Sequence, residues 1–165
     1  MDITQRQDAI IVGTLLGDGC LERNGHNVRL RLEHGESQKS YLLWKFRELK
    51  SIITGSVMKV RAYHKINRRF YESYRAYTFC DEAMQDYQDI FYLDAKKVIP
   101  GNICKFLKDP LSLAIWFMDD GYKRNDCNAF RLGTDSFTRE EQILLQKALL
   151  ENFSIETKIH KKGNY

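Results

Sequence analysis

Ile11-Val12-Gly13-Thr14-Leu15-Leu16-Gly17-Asp18-Gly19 is an apolar run that stops on Asp-Gly, and Leu113-Ala114-Ile115-Trp116-Phe117-Met118-Asp119-Asp120-Gly121 repeats the pattern. A single Asp-Gly after an apolar run reads as an ordinary helix end, with Gly as the cap and Asp as a turn residue. A carboxylate is badly placed there, because the helix dipole is negative at its C-terminus. Two helices that carry the same misplaced acid call for a different explanation. If they pack side by side about a pseudo-dyad, Asp18 and Asp120 converge, and a bound cation relieves their repulsion. Gly13 and Gly17 lie four residues apart on one helical face and permit the close approach. Converging carboxylates suit a hard cation such as Mg²⁺ and metal-assisted hydrolysis of a phosphodiester.

Working outward, the elements around the two runs follow one order. Thr4 with Gln7 is a capping-box pattern that starts the first helix. Cys20–Arg23 and His26–His34 form a hairpin through Asn24-Gly25, with Val28, Leu30 and Leu32 alternating with Arg29, Arg31 and Glu33. The stretch 37–53 predicts a helix bearing Tyr41, Leu42, Trp44, Phe46 and Leu49. Strands are predicted over 57–65, with Lys59, Arg61, Tyr63 and Lys65 on one face and Met58, Val60 and Ala62 on the other, and over 70–80, with Arg75 and Tyr77 opposite Tyr74 and Ala76. Glu82–Phe91 reads as a helix. The first copy is therefore α-β-β-α-β-β-α. After a connection containing Lys96, Lys97 and Pro100 the order restarts. Asp109-Pro110 opens the second apolar helix, strands are predicted over 129–133 and 155–161, and Thr138 with Glu141 caps a helix over 139–153. One strand and one helix of the repeat are missing at Tyr165.

The chain has 165 residues, 43% of them hydrophobic and 12% aromatic, which points to a globular protein. No apolar run is long enough to span a membrane, and the N-terminus lacks the order of a secretory signal. Twenty-six Lys and Arg against 22 Asp and Glu give a formal charge of +4, a mild excess whose placement matters more than its size. Arg29, Arg31, Lys59, Arg61, Lys65, Arg75 and Lys158 fall on strand faces opposite the apolar ones. Such positions are charged in most soluble sheets, but the near-absence of acids among these favours a DNA-facing sheet. Cys20, Cys80, Cys104 and Cys127 form no C-x-x-C pair, and the four histidines show no metal-ligand spacing.

The two nine-residue runs, with α-β-β-α-β-β-α between them, resemble the paired motifs of single-chain LAGLIDADG homing endonucleases, and the Ala114–Gly121 form is similar to a branch common among intron-encoded members. The resemblance extends over most of the chain, including 32–41 and Lys96-Lys97-Val98-Ile99-Pro100. It implies an α+β fold of two pseudo-symmetric αββαββα half-domains, 1–108 and an incomplete 109–165, with the motif helices at their interface and antiparallel sheets in the DNA major groove. It implies a double-strand cut with short 3′ overhangs, Mg²⁺ at the scissile phosphates (Mn²⁺ or Ca²⁺ substituting for binding), and Asp18 and Asp120 as ligands beside Gly17 and Asp119. His34 takes the place of a polar residue near the attacking water, with Asp135 as its counterpart. Lys123 and Lys97, with Lys96, match phosphate-stabilising positions. Ile115 departs from the family pattern, where a small Gly is usual, and implies an asymmetric helix contact.

Two other functions stay open. One is an RNA maturase that assists intron splicing; the other is a non-catalytic DNA-binding module or inactive fragment, which retention of both aspartates disfavours. The expected partner is duplex DNA with a long target site, with no membrane. The short second copy also raises a longer chain, or a second polypeptide that completes the second half-domain. The expected location is intracellular, in a prokaryotic cytoplasm or an organelle that encodes the protein.

Overall fold

A computed structural model describes residues 2–160. Helix α1 (Gln5–Leu16) starts at Thr4, whose side chain accepts from the Gln7 backbone while the Gln7 side chain accepts from the Thr4 N–H. Its residues from Ala9 to Leu16 are buried almost all round, so it is a central helix. Strands β1 (Cys20–Asn24) and β2 (Asn27–Gly35) form the predicted hairpin around Gly25, whose φ of 68° suits glycine. Helix α2 (Lys39–Glu48) follows, then β3 (Ile53–His64), β4 (Arg69–Thr78) and α3 (Glu82–Phe91), giving an antiparallel sheet of order β1-β2-β4-β3.

The helix expected over 37–53 is shorter than its apolar pattern. It is bracketed by 3-10 turns at Glu36–Gln38 and Lys50–Ile52, and the chain is extended from Ile53. The β-branched run Ile52-Ile53-Thr54 disfavours further helix. The register of β3 on β4 then slips between Thr54 and Met58, at Gly55 with φ 70°. Beyond the slip, Lys59 pairs with Tyr74 and Arg61 with Glu72, whereas Met58 pairs with Arg75. Directly opposed residues share a face. Lys59 and Arg61 therefore continue the face of the buried Tyr74, while Arg29, Arg31 and Arg75 lie on the other, solvent face.

A two-strand hairpin, β5 (Tyr92–Leu93) and β6 (Lys96–Lys97), forms within the connection, turning at Asp94 and Ala95 with φ of 49° and 63°. Both central residues are left-handed, as a tight hairpin turn requires. The second copy opens with α4 (Pro110–Asp120), capped by Asp109, followed by β7 (Gly121–Lys123), β8 (Phe130–Leu132) and α5 (Arg139–Phe153), capped by Thr138 and Glu141. Strand β7, which starts on the glycine of the second Asp-Gly, was not legible in the alternation.

The strand expected over 155–161 does not form over 155–160; Lys161 lies outside the described residues. A strand needs an edge to pair with, and this segment is instead held on α5, where the Gln146 side chain donates to the Thr157 carbonyl at 2.8 Å. Among the described residues the second copy thus lacks both outer strands and a third helix, one strand more than the sequence pattern suggested. No helix among them is long and apolar enough to cross a membrane.

One apolar core runs through both copies, from Ile10, Leu15 and Leu32 through Met84 and Phe91 to Trp116, Leu145 and Leu149. At its centre α1 lies along α4. A Cβ placed on Gly13 would stand 2.4 Å from the Ser112 carbonyl and 2.8 Å from the Ile115 Cβ. Ile115 therefore fills the space that Gly13 leaves, and the contact is asymmetric as expected. Gly13→Ala should destabilise the protein by about 1–3 kcal/mol through overpacking of this seam, read as a lower midpoint in urea unfolding with an unchanged slope.

Candidate active site at the paired helix ends

The seam ends in a cluster of charge. Gly17 meets Asp119 as Gly13 meets Ile115: a Cβ on Gly17 would lie 2.4 Å from the Asp119 Cβ. The Asp18 backbone N–H donates to Asp119 Oδ2 at 3.3 Å, so the two Asp-Gly turns are joined directly. The Asp119 side chain is wholly buried, whereas that of Asp18 is 46% exposed.

The counter-charge of Asp119 comes from a residue that the sequence reading passed over. Lys45 of α2 is fully buried and donates to Asp119 Oδ1 and Oδ2 at 2.8 and 2.9 Å. Its ammonium also lies 3.3 Å from His34 Nε2 and 4.4 Å from the centre of the Tyr41 ring. The signal was present in the pattern: Leu42, Lys45 and Leu49 share one helical stripe, and the lysine interrupts two apolar residues. A lysine there must meet an acid inside the fold.

His34 comes from the end of strand β2 on its core face and is buried. An ammonium has only donors, so Nε2 accepts from Lys45, and the ring proton sits on Nδ1. That nitrogen lies 3.1 Å from Gln38 Oε1 and 3.8 Å from Asp18 Oδ2. Burial and the neighbouring Lys45 lower the His34 pKa against the pull of Asp119 and Asp18, which keeps the ring neutral. His34 therefore donates its Nδ1–H to Gln38, with the Asp18 carboxylate close by.

Ligand atoms of Asp18, His34 and Asp119 converge within 4.8 Å of one another. Asp119 is committed to Lys45 and to the Asp18 N–H, and both His34 nitrogens are engaged, so of the three only Asp18 has a carboxylate facing outward. Its partner is Asp120. The Asp120 pKa is raised to about 6, first by burial and then by the charges of Asp18 and Asp119. Burial and Asp119 likewise raise Asp18, against His34, Lys45 and Lys97. Two half-buried carboxylates that hold their protons too tightly form a donor set that fits a hard divalent cation.

Lys97 completes the cluster. Its ammonium donates to the Gly17 and Gly19 carbonyls at 2.8 and 2.7 Å, on either side of Asp18. The β5–β6 hairpin delivers it there. Burial lowers its pKa, with Asp120 and Asp18 among the charges that oppose the shift. Lys123 is exposed at the end of β7, and Asp135 is exposed in the turn after β8. Lys96, Lys65 and Lys158 are exposed as well, in β6, in the β3–β4 turn and after α5.

The chain matches the model of the LAGLIDADG DNA endonuclease family over residues 8–165. It is 30% identical to the DNA endonuclease I-ChuI of Chlamydomonas applanata, over 98% of this chain and 79% of that one. It is 29% identical to the cytochrome b mRNA maturase bI2 of Debaryomyces hansenii, over 93% of this chain and 59% of that one. Its fold is that of the homing endonuclease I-WcaI, solved bound to its DNA recognition sequence, with a TM-score of 0.87 at 24% identity, over 98% of this chain and 74% of that one.

Removing the Lys45 charge should leave Asp119 as a buried, uncompensated carboxylate. Lys45→Met is expected to lower stability by about 3–5 kcal/mol, and the Lys45→Met/Asp119→Asn pair to recover most of it. Urea unfolding of both variants reads the difference.

Proposed function

The chain belongs to the LAGLIDADG DNA endonuclease family, and from that premise we propose that it is a site-specific, metal-dependent endonuclease that cuts both strands of duplex DNA and leaves short 3′ overhangs. The observation that carries this reading is the approach of Asp18 and Asp120 at the ends of two packed helices, where the charge of Asp18 helps to raise the proton affinity of Asp120. Asp18 and Asp120 would hold Mg²⁺, with Mn²⁺ or Ca²⁺ able to take its place for binding. Gly17 and Asp119 lie beside them, but the Gly17 carbonyl receives Lys97 and Asp119 receives Lys45, so the ligand set narrows to the two outer carboxylates. The bound cation supplies Lewis-acid activation and charge stabilisation at the phosphodiester.

The protein's own groups do the rest. Lys97, held by two carbonyls beside Asp18, places a positive charge where the phosphate gains negative charge. His34, with Nε2 engaged by Lys45 and its Nδ1–H donated to Gln38, is a fixed neutral ring that would border the attacking water beside Asp18. Lys123 is assigned the corresponding role of Lys97 on the second strand. On the open face of the sheet Arg29, Arg31 and Arg75 meet the DNA, while Lys59, Arg61, Lys65 and Lys158 lie beyond it and take up flanking phosphate. A further strand pair and helix on the outer edge of β8, from a longer chain or a second polypeptide, would complete the second half-domain. The proposed setting is intracellular, in a prokaryotic cytoplasm or a genome-bearing organelle. Similarity to a maturase supports a second reading, in which the same fold assists RNA splicing.

Incubation with a randomised duplex library and Mg²⁺, followed by sequencing of the cut ends, tests the nuclease. Paired cuts with 3′ overhangs are expected, and Asp18→Asn or Asp120→Asn should reduce cutting at least 100-fold, roughly the loss when a key transition-state charge is removed. Binding to duplex without cutting would favour the DNA-binding module.

The pH dependence has a definite sign. Asp120 binds its proton more tightly in the folded protein than unfolded, so its stabilising contribution is present at low pH and is lost as pH rises through about 6. Without metal, stability should fall across that range. Mg²⁺ competes with the proton, so it should raise the melting temperature more at pH 7.5 than at pH 5, and cleavage should decline below about 6. Asp120→Asn should remove most of the metal-free trend, as differential scanning calorimetry would show.

A further inference from the structure

The solvent face of the sheet carries a closed circuit of side chains. Glu22 of β1 accepts from Arg29 Nε and Nη2 at 3.0 and 2.6 Å through one oxygen, and from Arg31 Nη1 at 3.2 Å through the other. Arg31 Nε lies 3.6 Å from Glu33 Oε2. That same oxygen receives Arg75 Nε and Nη2 at 2.9 and 2.8 Å, while Glu33 Oε1 accepts from Ser73 Oγ at 2.6 Å. Arg75 Nη1 donates to the Tyr77 hydroxyl at 3.3 Å, and the Arg29 guanidinium lies 3.8 Å over the Tyr77 ring, which closes the circuit.

The register explains why it closes. Glu22 stands opposite Arg29, Glu33 opposite Arg75, and Arg31 opposite Tyr77, so acid and base alternate across three adjacent strands on one face. Each of the five charged side chains retains 24–33% of its exposure. They are neither buried nor free. Burial raises the Glu33 pKa, but Ser73 and Arg75 overcome it and hold the carboxylate ionised.

The consequences are two. Two carboxylates cancel most of the charge of three arginines, so this face attracts phosphate far less than its arginine count suggests. Each guanidinium is also fixed in orientation by at least two contacts, as a preorganised fork must be to read a base edge. An arginine leaves its carboxylate only for an acceptor array of comparable quality. A guanine edge offers such an array to a correctly placed fork, and a passing phosphate does not offer it to all three at once.

We propose that Glu22 and Glu33 are specificity-determining residues, which hold Arg29, Arg31 and Arg75 in a self-neutralised circuit that suppresses binding to arbitrary DNA. This inference rests on the reading of the chain as a duplex-DNA endonuclease. It assigns the acids of the DNA face a role that the count of basic residues does not show.

The test compares the wild-type chain with Glu22→Gln, Glu33→Gln and the double variant, and with Glu151→Gln on α5, which removes the same charge from the exposed Lys147–Glu151 pair away from the sheet. Affinity for a random-sequence duplex is measured from 50 to 300 mM salt (about the range in which phosphate contacts dominate), and each protein is used to select from a randomised library. Expected is roughly three- to tenfold tighter binding of random duplex by each single variant at low salt. The log–log salt slope should steepen by about 0.9 for every arginine that gains a phosphate, and the selected sequences should lose preference at the affected positions. Should Glu33→Gln unfold, Glu22→Gln on the edge strand carries the comparison. Unchanged affinity and slope, or an equal gain from Glu151→Gln, would overturn the proposal while leaving the nuclease reading intact. A wild-type chain that binds no duplex at all would overturn both.

Discussion

The fold depends on how closely α1 approaches α4. Gly13 in α1 and Gly17 at its C-cap leave room, and two residues of α4 fill it: Ile115 against Gly13 and Asp119 against Gly17. This packing brings the two Asp-Gly turns into hydrogen-bonding contact and places a carboxylate in the centre of a protein that offers little water to solvate it. A buried carboxylate without a cation is strongly destabilising, so the seam requires Lys45. Because Lys45 belongs to α2, the packing of the first copy's second helix, the position of the end of β2 through His34, and the seam itself are tied to one ion pair.

The same constraint sorts the acids at the helix ends into two classes. Asp119 is satisfied within the protein, by Lys45 and a backbone N–H. Asp18 and Asp120 are not satisfied to the same degree: both are half-buried and lie near the charge of Asp119, Asp120 also feels the charge of Asp18, and both retain protons more tightly than a free aspartate. The helix C-termini add their own negative ends, and Lys97 offsets this at one of them by bonding the carbonyls of Gly17 and Gly19. The cluster is thus arranged with one acid neutralised and two left demanding positive charge. Hydrogen-bond capacity is therefore the physical reason why the outer pair is the one proposed to hold a cation.

Much of this was legible before any coordinates. The two runs ending in Asp-Gly and the capping boxes at Thr4 and Thr138 have local causes and appear where the pattern placed them, and the expected hairpin forms with its turn one residue later, at Gly25-His26. What escaped the pattern was non-local. The faces of Lys59 and Arg61 were set by a register slip at Gly55, which alternation within one strand cannot reveal. The segment 155–160 alternates like a strand, yet has no edge to join among the described residues. Lys97 was placed near the site by resemblance, but the left-handed Asp94-Ala95 turn that delivers it was not read. Lys45 was visible as a charge on an apolar stripe, and its partner, seventy-four positions away, was not.

Acids shape this protein in a way that a search for basic residues misses. Inside the fold, Asp119 immobilises Lys45, and through it the tautomer of His34. On the solvent face, Glu22 and Glu33 immobilise three arginines. In both places a carboxylate accepts from more than one donor and so fixes direction as well as charge. The difference lies in solvent. The Lys45–Asp119 pair is wholly buried, so no ligand from solvent competes for either partner and the pair fixes structure. The arginine circuit is a quarter to a third exposed, so its bonds can be exchanged for those of a ligand that matches them. Equivalent chemistry therefore gives a rigid seam in one layer and an exchangeable surface in the other, and degree of burial alone decides which.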